Sequence, residues 1–249
     1  MNRVLKIVAL GLLLCAPSAL VATEKTNTLV MLGDSTTFCG YNAPGSKLTD
    51  YVGAYLTKTR HLSVSLINSG KNGDTARGGL ARMQTDVLAD DPVVVTISFG
   101  LNDTGEQKPD EYVDNLHKII QTIQKNSHAK ILLVTSTPFN NARHALGEKF
   151  RAKGGLDEYM DANFCAQMRT LAQKYNLPIC DLHAHFKTVF KKTPALIDTL
   201  IMPDGVHLTG DGNKAAADYL APMIATLLSR PGTGPKQPGS NLVEPTATP

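Results

Sequence analysis

Ser35 follows the apolar run Leu29-Val30-Met31-Leu32 across Gly33-Asp34. A β-prone run closed by a glycine reads as a buried strand that stops at a tight turn. A hydroxyl placed there projects from a rigid element at the C-terminal edge of the sheet, where open α/β sheets bind ligands. Far along the chain, Asp204 and His207 share the turn-rich stretch Met202-Pro203-Asp204-Gly205-Val206-His207. Their spacing lets the carboxylate reach the imidazole Nδ1–H within one local turn, which fixes the tautomer and leaves Nε2 for a serine hydroxyl. Gly73, in Asn68-Ser69-Gly70-Lys71-Asn72-Gly73-Asp74-Thr75, offers a backbone N–H that no Cβ shields. Asn102, in Gly100-Leu101-Asn102-Asp103, offers a side-chain amide. With the N–H of Ser35 itself, these are donors suited to an oxyanion. The chemistry such a set performs is acyl transfer through a serine nucleophile. Taken singly, each residue has a blander role: Ser35 as a helix cap, Gly73 and Asp204-Gly205 as turns, Asn102 as a loop cap.

The elements that must bring these residues together alternate strand and helix five times. Strands are predicted over Thr28 to Leu32, Leu62 to Ile67, Val93 to Phe99, Lys130 to Thr135 and Leu177 to Leu182. Helical periodicity covers Leu48 to Arg60, then a stretch through Leu80, Met83, Val87 and Leu88, then Pro109 to Lys125, Leu156 to Tyr175 and Gly210 to Ser229. Thr137 to Asp157 is long, polar and glycine-containing, and reads as an excursion from the sheet edge. Phe186 to Ile201 reads as mixed helix and loop. This alternation predicts an α/β fold, a parallel sheet with helices on both faces and right-handed crossovers. In the flavodoxin-like order 2-1-3-4-5, the ends of strands one, two and three are neighbours, so Ser35, Gly73 and Asn102 converge on one crevice.

Gly33-Asp34-Ser35, the stretch around Gly73, Gly100-Leu101-Asn102-Asp103 and Asp204-Gly205-Val206-His207 together resemble the four blocks of the SGNH, or GDSL-type, hydrolase family. The resemblance spans about residues 28 to 229. It implies a three-layer α/β/α sandwich around a five-stranded parallel sheet. It also implies Ser35 as nucleophile, His207 as base, Asp204 as third triad member, and Ser35, Gly73 and Asn102 as oxyanion donors. Threonine follows Ser35 where the family commonly has leucine. The Gly-Asp-Ser-Thr form is similar to that of some carbohydrate O-acetylesterases, including rhamnogalacturonan acetylesterases. It turns the substrate expectation toward acetyl groups on carbohydrate, with no cofactor required.

Composition bounds the partners. The 249-residue chain is 42% hydrophobic and carries a formal charge of +3. That suits one folded domain and gives no basic block for nucleic acid. Arg3 and Lys6, an apolar run from Ile7 to Leu14, and small residues up to Ala22 have the layout of a secretory leader. The expected organisation is a leader over residues 1–22, a catalytic domain over 23–230 and a disordered Pro/Gly/Thr-rich tail over 231–249. The apolar run is too short for a membrane span. A monomer that is secreted or periplasmic is expected, with a small-molecule or polysaccharide ester as substrate. Cys39, Cys165 and Cys180 allow at most one internal disulfide. The histidines of Asp181-Leu182-His183-Ala184-His185 have no further clear ligands in the sequence, so no metal site is assigned. Tyr41, Arg143 and His144 are candidates for substrate contacts in the segments that wall the site.

A lysophospholipase or thioesterase is the alternative enzyme. A catalytically silent carbohydrate-binding protein is the alternative outside catalysis. A dinucleotide-binding protein lacks its glycine fingerprint here.

Overall fold

The computed structural model describes residues 26–229. The expected leader, 1–22, and the expected tail, 231–249, lie outside the described residues. Five parallel strands, β1 (Asn27–Gly33), β2 (Val64–Gly70), β3 (Val94–Ser98), β4 (Lys130–Val134) and β5 (Ile179–Cys180), form one sheet in the order 2-1-3-4-5. Both the strand order and the α/β class agree with the sequence-based expectation.

The interior strand β1 is buried on both faces, as a parallel strand covered by helices must be. Leu29 and Met31 enter one apolar cluster, where the Leu48–Ala54 and Gly210–Ser229 helices pack. Val30 and Leu32 enter the other, beneath the Pro109–Asn126 and Ala166–Tyr175 helices. The two-residue alternation of the strand thus feeds two separate cores.

Several boundaries differ from the sequence pattern. Strand β2 starts at Val64 and runs on through Asn68-Ser69-Gly70, because its register with β1 continues from Asn27↔Val64 to Gly33↔Gly70. Backbone pairing overrides the turn-prone composition of those last residues. Gly70 is needed there: a Cβ would lie 2.2 Å from the Phe38 nitrogen. The helix expected through Leu88 divides into Ala76–Ala81 and Met83–Asp86, followed by a single tight turn at Leu88–Asp90. The Leu48–Ala54 helix ends in a wide π-type turn at Tyr55–Thr59. Strand β5 is only two residues long, and the next helix starts at Leu182, capped by the Asp181 carboxylate accepting from the Ala184 N–H.

Candidate active site

The paired ends of β1 and β2, Gly33 and Gly70, fix the first two loops of the site relative to each other. Ser35 begins a one-turn helix, Ser35–Phe38, whose cap is Asp34; the Asp34 carboxylate accepts from the Thr36 N–H at 2.9 Å. The neighbouring loop is tied back to β1 by the Lys71 N–H, which donates to the Gly33 carbonyl at 3.1 Å. Arg82 strengthens this junction. It donates to the Gly33 carbonyl at 3.0 Å and pairs with the carboxylates of Asp74 at 2.8 Å and Asp86 at 3.1 Å.

Ser35 is only 4% exposed, and its Oγ lies 2.9 Å from His207 Nε2. His207 Nδ1 lies 2.7 Å from Asp204 Oδ2. The other Asp204 oxygen accepts from the backbone N–H groups of Val206 and His207 at 2.9 and 3.0 Å. The three side chains therefore form one hydrogen-bonded row. Burial raises the Asp204 pKa, but the His207 side-chain bond and the two backbone bonds outweigh it, and the carboxyl sits below its ordinary value. An acceptor that stays ionised fixes the proton on Nδ1 and leaves Nε2 to accept from the serine hydroxyl.

Gly73 has φ +68° and open space where a Cβ would stand. Among the described residues, neither the Ser35 nor the Gly73 backbone N–H donates to another protein group. The Asn102 amide donates to the Asp74 carbonyl at 2.8 Å, which uses one of its two N–H groups. Fully buried Asp103 completes the junction: its carboxylate accepts from the Ala76 and Gly100 N–H groups at 2.9 and 3.0 Å and from the Gln107 amide at 2.9 Å. Burial pushes its pKa up to about 7, while the two backbone donors pull the other way.

The expected wall residues separate into distinct environments. Tyr41 is 61% exposed, and its ring centre is 4.5 Å from that of His207. The His144 ring packs on Phe139 with centres 4.9 Å apart, and its Nδ1 accepts from the Leu146 N–H. His144 lines a cavity of about 230 Å³ together with Asn102, Leu101, Phe139, Leu146 and Leu156. Arg143 instead pairs with Asp198 at 2.8 Å. Of the two histidines in the Asp181–His185 stretch, His183 is buried against Asp157, and His185 stacks on Tyr219. Among the described residues, no group of three metal-ligating side chains comes together. Cys39, Cys165 and Cys180 are free, buried thiols.

Sequence reasoning did not find Arg82, Asp103 or Asp157. Asp103 lies in Gly100-Leu101-Asn102-Asp103, next to Asn102, where a carboxylate between two loops is a recognisable tie. Arg82 sits in a helical pattern like other surface arginines, and nothing in its spacing singles it out.

Comparisons with known proteins give the family and the fold. Residues 31–215 match the profile of the GDSL-like lipase/acylhydrolase family. The chain is 26% identical over 205 residues to thioesterase 1/protease 1/lysophospholipase L1 of Escherichia coli K12, covering 82% of this chain and 86% of that protein. It is 25% identical over 207 residues to an acetylxylan esterase of Geobacillus stearothermophilus, covering 76% and 90%. In fold it is similar to a lipase/acylhydrolase from Enterococcus faecalis, with a TM-score of 0.66 and 24% identity over 80% of this chain and 96% of that one. The profile match takes in three quarters of the chain, from the middle of β1 into the last helix, and on it the chain belongs to the GDSL-like lipase/acylhydrolase family of carboxylic ester hydrolases.

Proposed function

We propose that this protein is an exported serine esterase that removes short acyl groups, acetyl first among them, from carbohydrate. The observation that carries the reading is the row Ser35–His207–Asp204, with contacts of 2.9 and 2.7 Å. The Ser35 oxygen attacks the ester carbonyl carbon while its proton passes to His207 Nε2. Asp204 stabilises the imidazolium that forms. The carbonyl oxygen takes the electron pair and faces the N–H groups of Ser35 and Gly73 and the second N–H of Asn102. As the tetrahedral intermediate collapses, the alcohol leaves with the proton from Nε2. Water then repeats the sequence on the acyl-enzyme, returning Ser35 and releasing the acid.

Acetyl and carbohydrate rest on the threonine after Ser35 and on the likeness to an acetylxylan esterase. Export rests on the charged and apolar N-terminal pattern; among the described residues no helix is long and apolar enough to cross a membrane. One observation favours a second reading. The cavity beside Asn102 carries Leu101, Phe139, Leu146 and Leu156 among its lining, beside the polar Thr104, Glu106 and His144, and these apolar side chains suit a longer acyl chain of a thioester or lysophospholipid. Acetate release from acetylated xylan and mannan oligosaccharides, set beside hydrolysis of a chromogenic ester series from acetate to octanoate, separates the two. Falling rates along the series with acetate release support the first reading, and rising rates without acetate release overturn it.

A further inference from the structure

The first residues of the excursion from β4 are held on two sides. Toward the site, the Asn140 N–H donates to the Gly205 carbonyl at 2.8 Å, in the turn between Asp204 and His207. Gly205 has φ +79°, and a Cβ there would lie 2.6 Å from the His144 nitrogen. Backbone therefore meets backbone at this contact, with no side chain between to absorb a shift. Away from the site, the Phe139 N–H donates at 2.9 Å to Asp157, a carboxylate that is 2% exposed. The same oxygen of Asp157 faces His183 Nε2 at 3.0 Å, and its other oxygen takes Lys187 Nζ at 2.5 Å. His183 is 1% exposed, and its own backbone N–H is held by Thr135 Oγ1 at the end of β4. Its Nδ1 lies 3.4 Å from Asp161 without a hydrogen bond, so its one side-chain bond in the structure is to Asp157.

We infer that His183, Asp157 and Lys187 are positioning residues that hold segment 139–144 against the Asp204–His207 turn and so set the aim of His207 on Ser35. A buried carboxylate that loses its donors is costly to keep in place. Removing His183 or Lys187 lets Asp157 turn away, the Phe139 N–H loses its acceptor, and the displacement passes through Asn140 and Gly205 to His207. The inference rests on the reading of Ser35, His207 and Asp204 as the reacting set.

The test uses the full chain and a chromogenic acetate ester, with Ser35→Ala as the blank and all rates taken well below the melting temperature. His183→Leu is expected to lower kcat by about tenfold with KM changed by less than about threefold, since misplacing a catalytic group by a fraction of an ångström acts on the reacting geometry. His183→Gln, which keeps a donor toward Asp157, is expected to restore kcat to within about twofold. Lys187→Met, on a half-exposed side chain, is expected to lower kcat by a few-fold and serves as the probe where the leucine variant does not fold. A purely structural role would lower the melting temperature and leave kcat of the folded fraction unchanged. Wild-type kcat in folded His183→Leu, or in Lys187→Met where the leucine variant does not fold, overturns the inference while leaving the esterase reading intact. A wild-type rate no greater than that of Ser35→Ala overturns the serine-esterase reading, and the inference with it.

Discussion

The side-chain amide of Asn102 donates to the backbone carbonyl of Asp74 at 2.8 Å. One residue on the loop after β3 thereby fixes the loop after β2, directly beside Gly73. The same amide has a second N–H, and it is this one that the proposed mechanism aims at the carbonyl oxygen.

Asn102→Ala removes both functions. Kcat on an acetate ester is expected to fall by roughly 100- to 1000-fold, the range for loss of one oxyanion donor, with a smaller change in KM. Steady-state kinetics on the folded variant check this. A loss confined to KM would mean that Asn102 binds substrate without favouring the transition state.

Asp34 makes a pH prediction. It is fully buried beside the nucleophile, and desolvation pushes its pKa up to about 6, against the two hydrogen bonds from Thr36 and the attraction of His207. A raised carboxyl pKa means that the unfolded chain gives up this proton before the folded one does. This contribution to stability is therefore full below about pH 4, declines as pH rises toward 6, and is flat above. Only Oδ1 of Asp34 accepts hydrogen bonds from Thr36, so asparagine can keep both. Asp34→Asn is expected to flatten the fall in stability between pH 4 and 6, so that its stability relative to wild type rises from pH 4 to pH 8. Urea melts at a series of pH values give the comparison. An unchanged slope would remove Asp34 as its source.

Arg82 joins three partners, the Gly33 carbonyl and the carboxylates of Asp74 and Asp86. Arg82→Met leaves Asp74, which is largely buried, without its cation and the Gly33 carbonyl without this donor. Breaking a buried pair from one side costs about 3–5 kcal/mol. For a domain of this size that is a fall in melting temperature of roughly 6–20 °C. Arg82→Lys recovers little, because a point ammonium cannot span Gly33, Asp74 and Asp86 at once. Calorimetry or thermal circular dichroism decides. A shift under about 2 °C in Arg82→Met would show that the pair contributes little.

Where a residue's role was legible in the sequence, it was carried by a local break in pattern. Gly33-Asp34-Ser35 ends an apolar strand, and Asp204 and His207 lie within one turn, so their contact needs no knowledge of the rest of the fold. The alternation of strand and helix carries the parallel α/β class, and the order 2-1-3-4-5 is the flavodoxin-like one among those that right-handed crossovers allow. What stayed hidden depends on partners distant in sequence. Asn68-Ser69-Gly70 has turn composition, yet pairs with β1 because Met31, Leu32 and Gly33 present free backbone groups to it. Arg82 reaches Gly33 across 49 positions, and Asp157 meets His183 across 26. The role of His183 stayed hidden because its spacing from His185 was the visible feature, whereas the helix starting at Leu182 sends the two in different directions.

The central claim is that Ser35 is a nucleophile activated by His207. Intact-protein and peptide mass spectrometry after reaction with a fluorophosphonate tests it most directly. One adduct per chain, located on Ser35 and formed far more slowly in His207→Ala and Asp204→Asn, is the predicted result. No adduct on wild-type protein, or an adduct that stays on another residue when Ser35 is replaced by alanine, would contradict it.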